Sequence, residues 1–292
     1  MSESAIADFV STFNSDRMTS AEPVKGRVLL SRKRLVLAVN DDDKLTIPLS
    51  SIFDVAVGHV PEDLDGFFQS TVTVAFEEQG QQFIAVIEGS DGKIGKFSTL
   101  LFKAILNGTD ATIKHPVRVG GRVTDAEFVP AKLALKPQRV QFKTGDGTVD
   151  VSLAAVTEFR RTEREIAGAT RPVLQVRHMP EGESMLTMAA TGSSRKMSIL
   201  GRYLRLEYSD LMAELEELEI STDEKELLVA IYSGADNEGI SLPQIVDKDP
   251  PKVTLMLNRL EEDELVVDAA DGTKLTPKGQ VVVNKHLEDV NV

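Results

Sequence analysis

From Val24 to Phe159 apolar and polar residues alternate in short runs, the period-two pattern of strands with one buried face. Val24-Lys-Gly-Arg-Val-Leu-Leu30 and Arg34-Leu-Val-Leu-Ala-Val39 precede a polar turn at Asn40-Asp-Asp-Asp43, and Lys44 to Val55 resumes the alternation. The pattern then recurs. Leu133-Ala-Leu135, Arg139-Val-Gln-Phe142, a turn at Thr144-Gly-Asp-Gly147 and the run from Thr148 to Phe159 repeat the same succession. Leu45, Ile47, Leu49 and Ile52 align with Val149, Val151, Leu153 and Val156 at a constant offset of 104 residues, so one β-rich unit is used twice.

Each copy ends in a stripe of period 3.6. Ile94, Phe97, Leu101, Ala104 and Ile105 share one helical face, and Met197, Leu200, Leu204, Tyr208, Leu211 and Leu215 form a longer stripe in the second copy. That second helix, from Ser193 to Leu218, is expected to run rigidly into the C-terminal module and to set its orientation. Ile6, Phe9, Val10 and Phe13 also fit helical spacing, which predicts an N-terminal helix docked on the first unit. Six or seven short antiparallel strands closed by one helix is the plan of a pleckstrin-homology-like barrel.

The last seventy residues switch to helix punctuation. Ser221-Thr-Asp-Glu224 is a capping box, and Leu227, Leu228 and Ile231 follow on one face. Gly234 and Asn237-Glu-Gly239 break that helix. Ser241-Leu-Pro-Gln244 repeats the box and opens a second helix that buries Leu242, Ile245 and Val246. Asp249-Pro-Pro251 starts a third, since Pro is tolerated in the first helical turn. Val253, Met256, Leu257 and Leu260 line its inner face, with Lys252, Thr254, Asn258 and Arg259 outside. Glu264–Ala269, a tight turn at Asp271-Gly272 and a return through Leu275-Thr-Pro-Lys-Gly279 read as a β-wing. The predicted class is α+β: two tandem pleckstrin-homology-like β-barrels, each closed by a C-terminal helix, followed by a winged helix. The expected boundaries are 1–20 for the leading helix, 21–109 and 110–218 for the barrels, and 219–292 for the winged helix.

Charge changes how that last module is read. A winged helix that grips DNA neutralises phosphates with Lys and Arg. Residues 219–292 hold seven Lys or Arg against sixteen Asp or Glu, a net charge of −9. The third helix runs straight into Glu261-Glu-Asp-Glu264, which repels a phosphate backbone. Protein is therefore the expected partner, although acidic surfaces throughout are also what proteins of salt-loving cells carry. The whole chain has net charge −13, and residues 1–218 carry 26 cations against 30 anions. With 41% apolar and 27% charged residues it has the composition of a soluble globular protein. No apolar run approaches a membrane span, and zero Cys excludes disulfides and thiolate metal sites, so a cytoplasmic location is expected.

Catalytic patterns are missing from the sequence. His59, His115, His178 and His286 show no metal-ligand spacing, and no phosphate-cradling Gly loop or nucleophile elbow occurs. Gly120-Gly121 reads as a turn. No catalytic residue, cofactor or metal is expected. The densest cationic cluster is Arg160, Arg161 and Arg164 after the fourth strand of the second copy, with Arg171 and Arg177 nearby and Arg195 and Lys196 opening its helix. It either receives an acidic or phosphorylated protein partner or balances local acids. Asn258 and Arg259 on the third helix of the last module are the further contact candidates.

Four stretches carry a family resemblance: Met1-Ser-Glu-Ser-Ala-Ile-Ala-Asp-Phe-Val10, Val24 to Arg34, Ser193-Ser-Arg-Lys-Met-Ser-Ile-Leu-Gly-Arg202 and the acidic tail module. The chain resembles the archaeal taxis protein family CheF, its haloarchaeal members in particular, over nearly its full length. The resemblance implies a non-enzymatic adaptor. Such an adaptor binds the response regulator CheY, preferentially phosphorylated, and switch proteins of the archaellum, and passes the chemotaxis signal to the motor. No contact residue is carried over. Neither nucleic acid nor membrane insertion is expected. The competing reading is a winged-helix transcription regulator with N-terminal barrels for sensing or dimerisation, which a gel shift at low and high salt separates.

Overall fold

The computed structural model describes residues 4–20, 22–58, 70–233, 241–269 and 272–290. His59, Gly234, Asn237-Glu-Gly239 and Asp271 lie outside the described residues.

The first seven strands are β1 (Ala7–Ser15), β2 (Val24–Leu30), β3 (Arg34–Ala38), β4 (Lys44–Pro48), β5 (Ile52–Val57), β6 (Thr71–Glu78) and β7 (Gln81–Glu88). They form one sheet in the order β4-β3-β2-β1-β7-β6-β5. Helix α1 (Asp91–Leu106) follows, with Ile94, Phe97, Leu101 and Ile105 buried as the stripe predicts. Phe13, Val28, Leu35, Ile47, Val74 and Ile87 supply inward positions of the sheet. Full burial of such side chains stabilises by about 1.5–3 kcal/mol each.

The leading segment is a strand and not the predicted helix. Phe9, Phe13 and Ser15 face inward at period two, while Val10 is 58% exposed and therefore belongs to no buried helical stripe. Pairing explains the outcome: β1 hydrogen-bonds along β2 from Ala7↔Leu30 to Phe13↔Val24 and joins β7 on its other side. A central strand satisfies its backbone on both edges. Phe9 then meets Phe97 of α1 edge-on at 5.2 Å.

The second copy contains β8 (Asp110–Val119), β9 (Arg122–Val123), β10 (Val129–Lys136), β11 (Arg139–Lys143), β12 (Thr148–Ser152), β13 (Val156–Ile166), β14 (Ala169–His178) and β15 (Met185–Thr191). Its order is β12-β11-β10-β8-β15-β14-β13, which reproduces the first sheet strand for strand, with β9 attached to β8 through the turn at Gly120-Gly121. The likeness extends to an irregularity. A register shift lies between Ile52 and Asp54 in β5, and another lies 104 residues later, between Val156 and Glu158 in β13. Helix α2 (Ser194–Glu216) comes next in the chain.

Among the described residues neither sheet closes into a barrel. The end strands β4 and β5, successive in sequence, do not pair with each other, nor do β12 and β13. Pro48 ends β4 without an N–H to donate, and the β5 bulge turns the next strand away.

By internal contacts the chain divides into two units. One comprises Met1–Ala111, Ala131–Leu135 and Thr191–Leu206, and the other Thr112–Pro130, Lys136–Ala190 and Glu207–Val292. The first half of α2 belongs to the first unit, where Tyr203 packs on Phe102 at 5.6 Å.

The C-terminal part holds α3 (Thr222–Tyr232), α4 (Leu242–Ile245), α5 (Pro250–Glu262), the hairpin β16 (Val266–Ala269) and β17 (Gly272–Leu275), and α6 (Pro277–Val290). The capping box is complete: the Ser221 hydroxyl accepts from the Glu224 N–H while the Glu224 carboxylate accepts from the Ser221 N–H. Leu227, Leu228, Val253, Met256, Leu260, Leu265 and Val283 share one core. Ile245 is 42% exposed and not buried, because α4 ends one residue before Val246 takes the inward place. The predicted return strand through Gly279 ends at Leu275. Pro277 opens α6, with the Thr276 hydroxyl accepting from the Gly279 N–H.

Candidate functional site

The cationic cluster resolves into separate places. In the second unit β13 pairs with β14 so that Glu158 faces Arg177, Arg160 faces Gln175 and Arg164 faces Arg171. Directly opposed residues share a face of the sheet. With Leu186 and Met188 of β15 and Val117, Arg118 and Val123 of β8 and β9, they line an open groove of about 330 Å³. Arg118, Arg160, Arg164 and Arg177 converge there, and Glu158 is the one carboxylate among the lining residues. Its two oxygens are shared: Arg160 Nη2 lies 3.0 Å from one and Arg177 Nε 3.4 Å from the other. Arg164 Nη1 donates to the Glu163 carbonyl at 2.9 Å, and no described carboxylate pairs with Arg118. The arginines facing each other at 164 and 171 repel, which an anion would relieve.

Arg161 is not in the groove. Strand alternation sends it to the opposite face, in register with Leu174. On that face Tyr208 of α2 packs edge-on against Phe159 at 5.3 Å and donates its hydroxyl to the Thr157 carbonyl. Burial first, then the Glu158 charge, pushes the Tyr208 phenol up to about 12.

Arg195 and Lys196 lie in the first unit and have internal tasks there. Arg195 pairs with Glu77 at 2.5 Å and stands 5.9 Å over the Phe53 ring. Lys196 Nζ donates to the Ile105 carbonyl at 3.0 Å, and burial lowers its pKa. Arg202 of the same half-helix grips Asp54 through two nitrogens, each at 3.1 Å.

On α5 Asn258 is exposed, whereas Arg259 is occupied. Its guanidinium donates to the Glu219 carbonyl at 2.9 Å and lies 3.6 Å from the buried Glu224 carboxylate. Lys252 and Lys248 both bind Asp223, at 2.6 and 3.1 Å, and those hydrogen bonds hold its carboxyl below the usual range. The outward helix face retains Leu255 at 69% exposure.

The predicted cluster thus divides. Arg160 and Arg164 meet, while Arg161, Arg195, Lys196, Asn258 and Arg259 do not join them. Arg118 is a groove residue that the sequence pattern does not reveal. It lies more than forty residues before Arg160, and only the strand order, which places β8 beside β15, gives it to the groove. No group of three or more His, Asp or Glu among the described residues is arranged to hold a metal ion. No described helix is long and apolar enough to cross a membrane.

Two like antiparallel sheets, the second with an arginine-lined face, make this an α+β protein. Comparison with known proteins places it. Residues 5–210 match the family described as Archaeal Chemotaxis signal transduction system protein F, and the chain belongs to that family. It is 47% identical to Taxis protein CheF2 of Halobacterium salinarum over 292 residues, the whole of both chains. It is 27% identical to Taxis protein CheF1 of the same organism over 263 residues, 90% of this chain and 87% of that one. The family match includes the groove and ends before α3.

Proposed function

We propose that this chain is a non-enzymatic chemotaxis adaptor in the cytoplasm, linking the phosphorylated response regulator CheY to the archaellum switch proteins. The observation that carries the reading is the arginine groove on β13, β14 and β8, a local excess of positive charge inside the family-matched region of a chain with net charge −13. A phosphorylated receiver gains negative charge on its working face, and complementary potential raises both the encounter rate and the selectivity for that state. The shared fold of the two copies, a path of seven antiparallel strands followed in the chain by a helix, with β9 added in the second, suits a pleckstrin-homology-like scaffold, and the C-terminal order of helices and hairpin suits a winged helix.

The same geometry argues against the transcription-regulator reading. The cations that a recognition helix would offer to phosphates, Lys252 and Arg259 of α5 with Lys248 just before it, are engaged by Asp223 and Glu224, and an exposed Leu255 occupies the outward face. Analytical size exclusion of the purified chain with the response regulator, with and without acetyl phosphate, tests the adaptor. A complex that strengthens on phosphorylation supports it. No complex in either state, together with salt-sensitive retention of duplex DNA, overturns it.

A further inference from the structure

We propose that the groove reads carboxylates: its occupant is an acidic segment of a protein partner carrying one apolar side chain, and Glu158 is the internal stand-in that the segment's carboxylate displaces. This rests on the adaptor reading and names what the adaptor's surface recognises.

Three observations lead there. First, the groove already holds a carboxylate. Arg160 and Arg177 approach the two oxygens of Glu158 at 3.0 and 3.4 Å, a two-guanidinium clasp on one acid. Second, the cations form a row. Arg160 and Arg164 stand four residues apart on one strand, about 13 Å between backbones at roughly 3.3 Å per residue. Successive acids along an extended polypeptide match that spacing, so each can take its own guanidinium. Third, the floor is apolar. Val117, Leu186 and Met188 line the groove together with the arginines, as does Val123, which is 70% exposed, so the cleft offers a seat for a hydrophobic anchor as well as charge. A nucleic acid would match the charge but would also meet the repulsion of a chain with net charge −13.

Glu158 then has a regulatory part. While it holds Arg160 and Arg177, an incoming carboxylate must compete with it, so weakly acidic surfaces are refused. Arg118 has no described acidic partner and is the first contact open to the segment.

The test uses the full chain and a synthetic peptide of four Asp or Glu residues around a single Leu, with affinity read by fluorescence anisotropy. Wild-type chain should bind the peptide, and Glu158→Gln should bind about two- to fivefold more tightly, the worth of an exposed ion pair. The double variant Arg160→Glu, Arg164→Glu should lose at least tenfold, while Arg161→Glu, on the other face, should bind as wild type does. Inorganic phosphate at matched ionic strength should not displace the peptide. Unchanged binding in the double variant, no gain in Glu158→Gln, displacement by phosphate, or tighter binding of an oligonucleotide of equal charge would each overturn the proposal. Failure of the response regulator to bind wild-type chain that still binds the peptide would instead remove the adaptor reading and leave the groove chemistry standing.

Discussion

The His178 ring Nε2 lies 2.9 Å from the Thr187 hydroxyl, in the interior of the second sheet. His115 Nδ1 meets the same oxygen at 2.7 Å, and the two imidazoles stack with centroids 5.9 Å apart. The hydroxyl carries one hydrogen, so it can donate to at most one of the two rings. Burial lowers both pKa values, and the neighbouring His115 adds to the effect on His178, which falls to about 4.

That depression fixes the sign of the pH dependence. Below the ordinary imidazole value of 6.5 the unfolded chain binds a proton that the folded His178 refuses until about pH 4. Stability is therefore full above pH 6.5 and falls as the pH drops through that window. At about 1.4 kcal/mol per pH unit, the loss attributable to this residue has a ceiling of about 3–4 kcal/mol. The register gives the control: Val156↔His178 in the second sheet corresponds to Ile52↔Phe76 in the first. Urea denaturation between pH 7 and pH 4.5 should show a shallower pH slope for His178→Phe than for wild type.

Arg259 and Glu224 make a second test. Glu224 is 3% exposed, its charge answered by the Ser221 N–H at 2.8 Å, the Ser221 hydroxyl at 2.6 Å and the Arg259 guanidinium. Arg259→Ala should destabilise the C-terminal helices by about 1–3 kcal/mol, because it removes a cation from a buried carboxylate. Ser221→Ala should cost about 1 kcal/mol as a lost cap. Thermal melts check both. A weakening of partner binding by Arg259→Ala without loss of stability would instead support Arg259 as a contact residue.

Gly279 admits no side chain. A Cβ there would stand 2.0 Å from the Leu265 carbonyl oxygen, so the first turn of α6 packs directly on the backbone entering β16. Gly279→Ala should displace α6 and cost about 1–3 kcal/mol as an overpacked contact. Hydrogen exchange of the amides of Val281, Val282 and Val283 should accelerate in that variant.

Much of the fold is legible in the chain. The 104-residue offset is a pattern of alternating apolar positions, and the sheets carry it down to a bulge at equivalent places. The capping box at Ser221 is written in four residues and needs nothing beyond them. The first strand is not legible, because Phe9 and Phe13 satisfy both the helical and the extended period, and only pairing with β2 and β7 decides between them. Helix α6 is masked because Val281-Val-Val283 has the composition of a strand, although Thr276-Pro277 already holds the start signal. The groove is half legible. Arg160 and Arg164 are close in sequence, but β alternation separates Arg161 from them, and Arg118 arrives through a strand order that no local pattern encodes.

The most direct test of the adaptor account is the affinity of phosphorylated response regulator for the wild-type chain and for Arg118→Glu, Arg160→Glu, Arg164→Glu, measured by isothermal titration at matched ionic strength. The account predicts tighter binding of the phosphorylated than of the unphosphorylated regulator by wild type, and a loss of at least tenfold in the variant with its melting temperature preserved. Equal affinity of both chains for the phosphorylated regulator would contradict it.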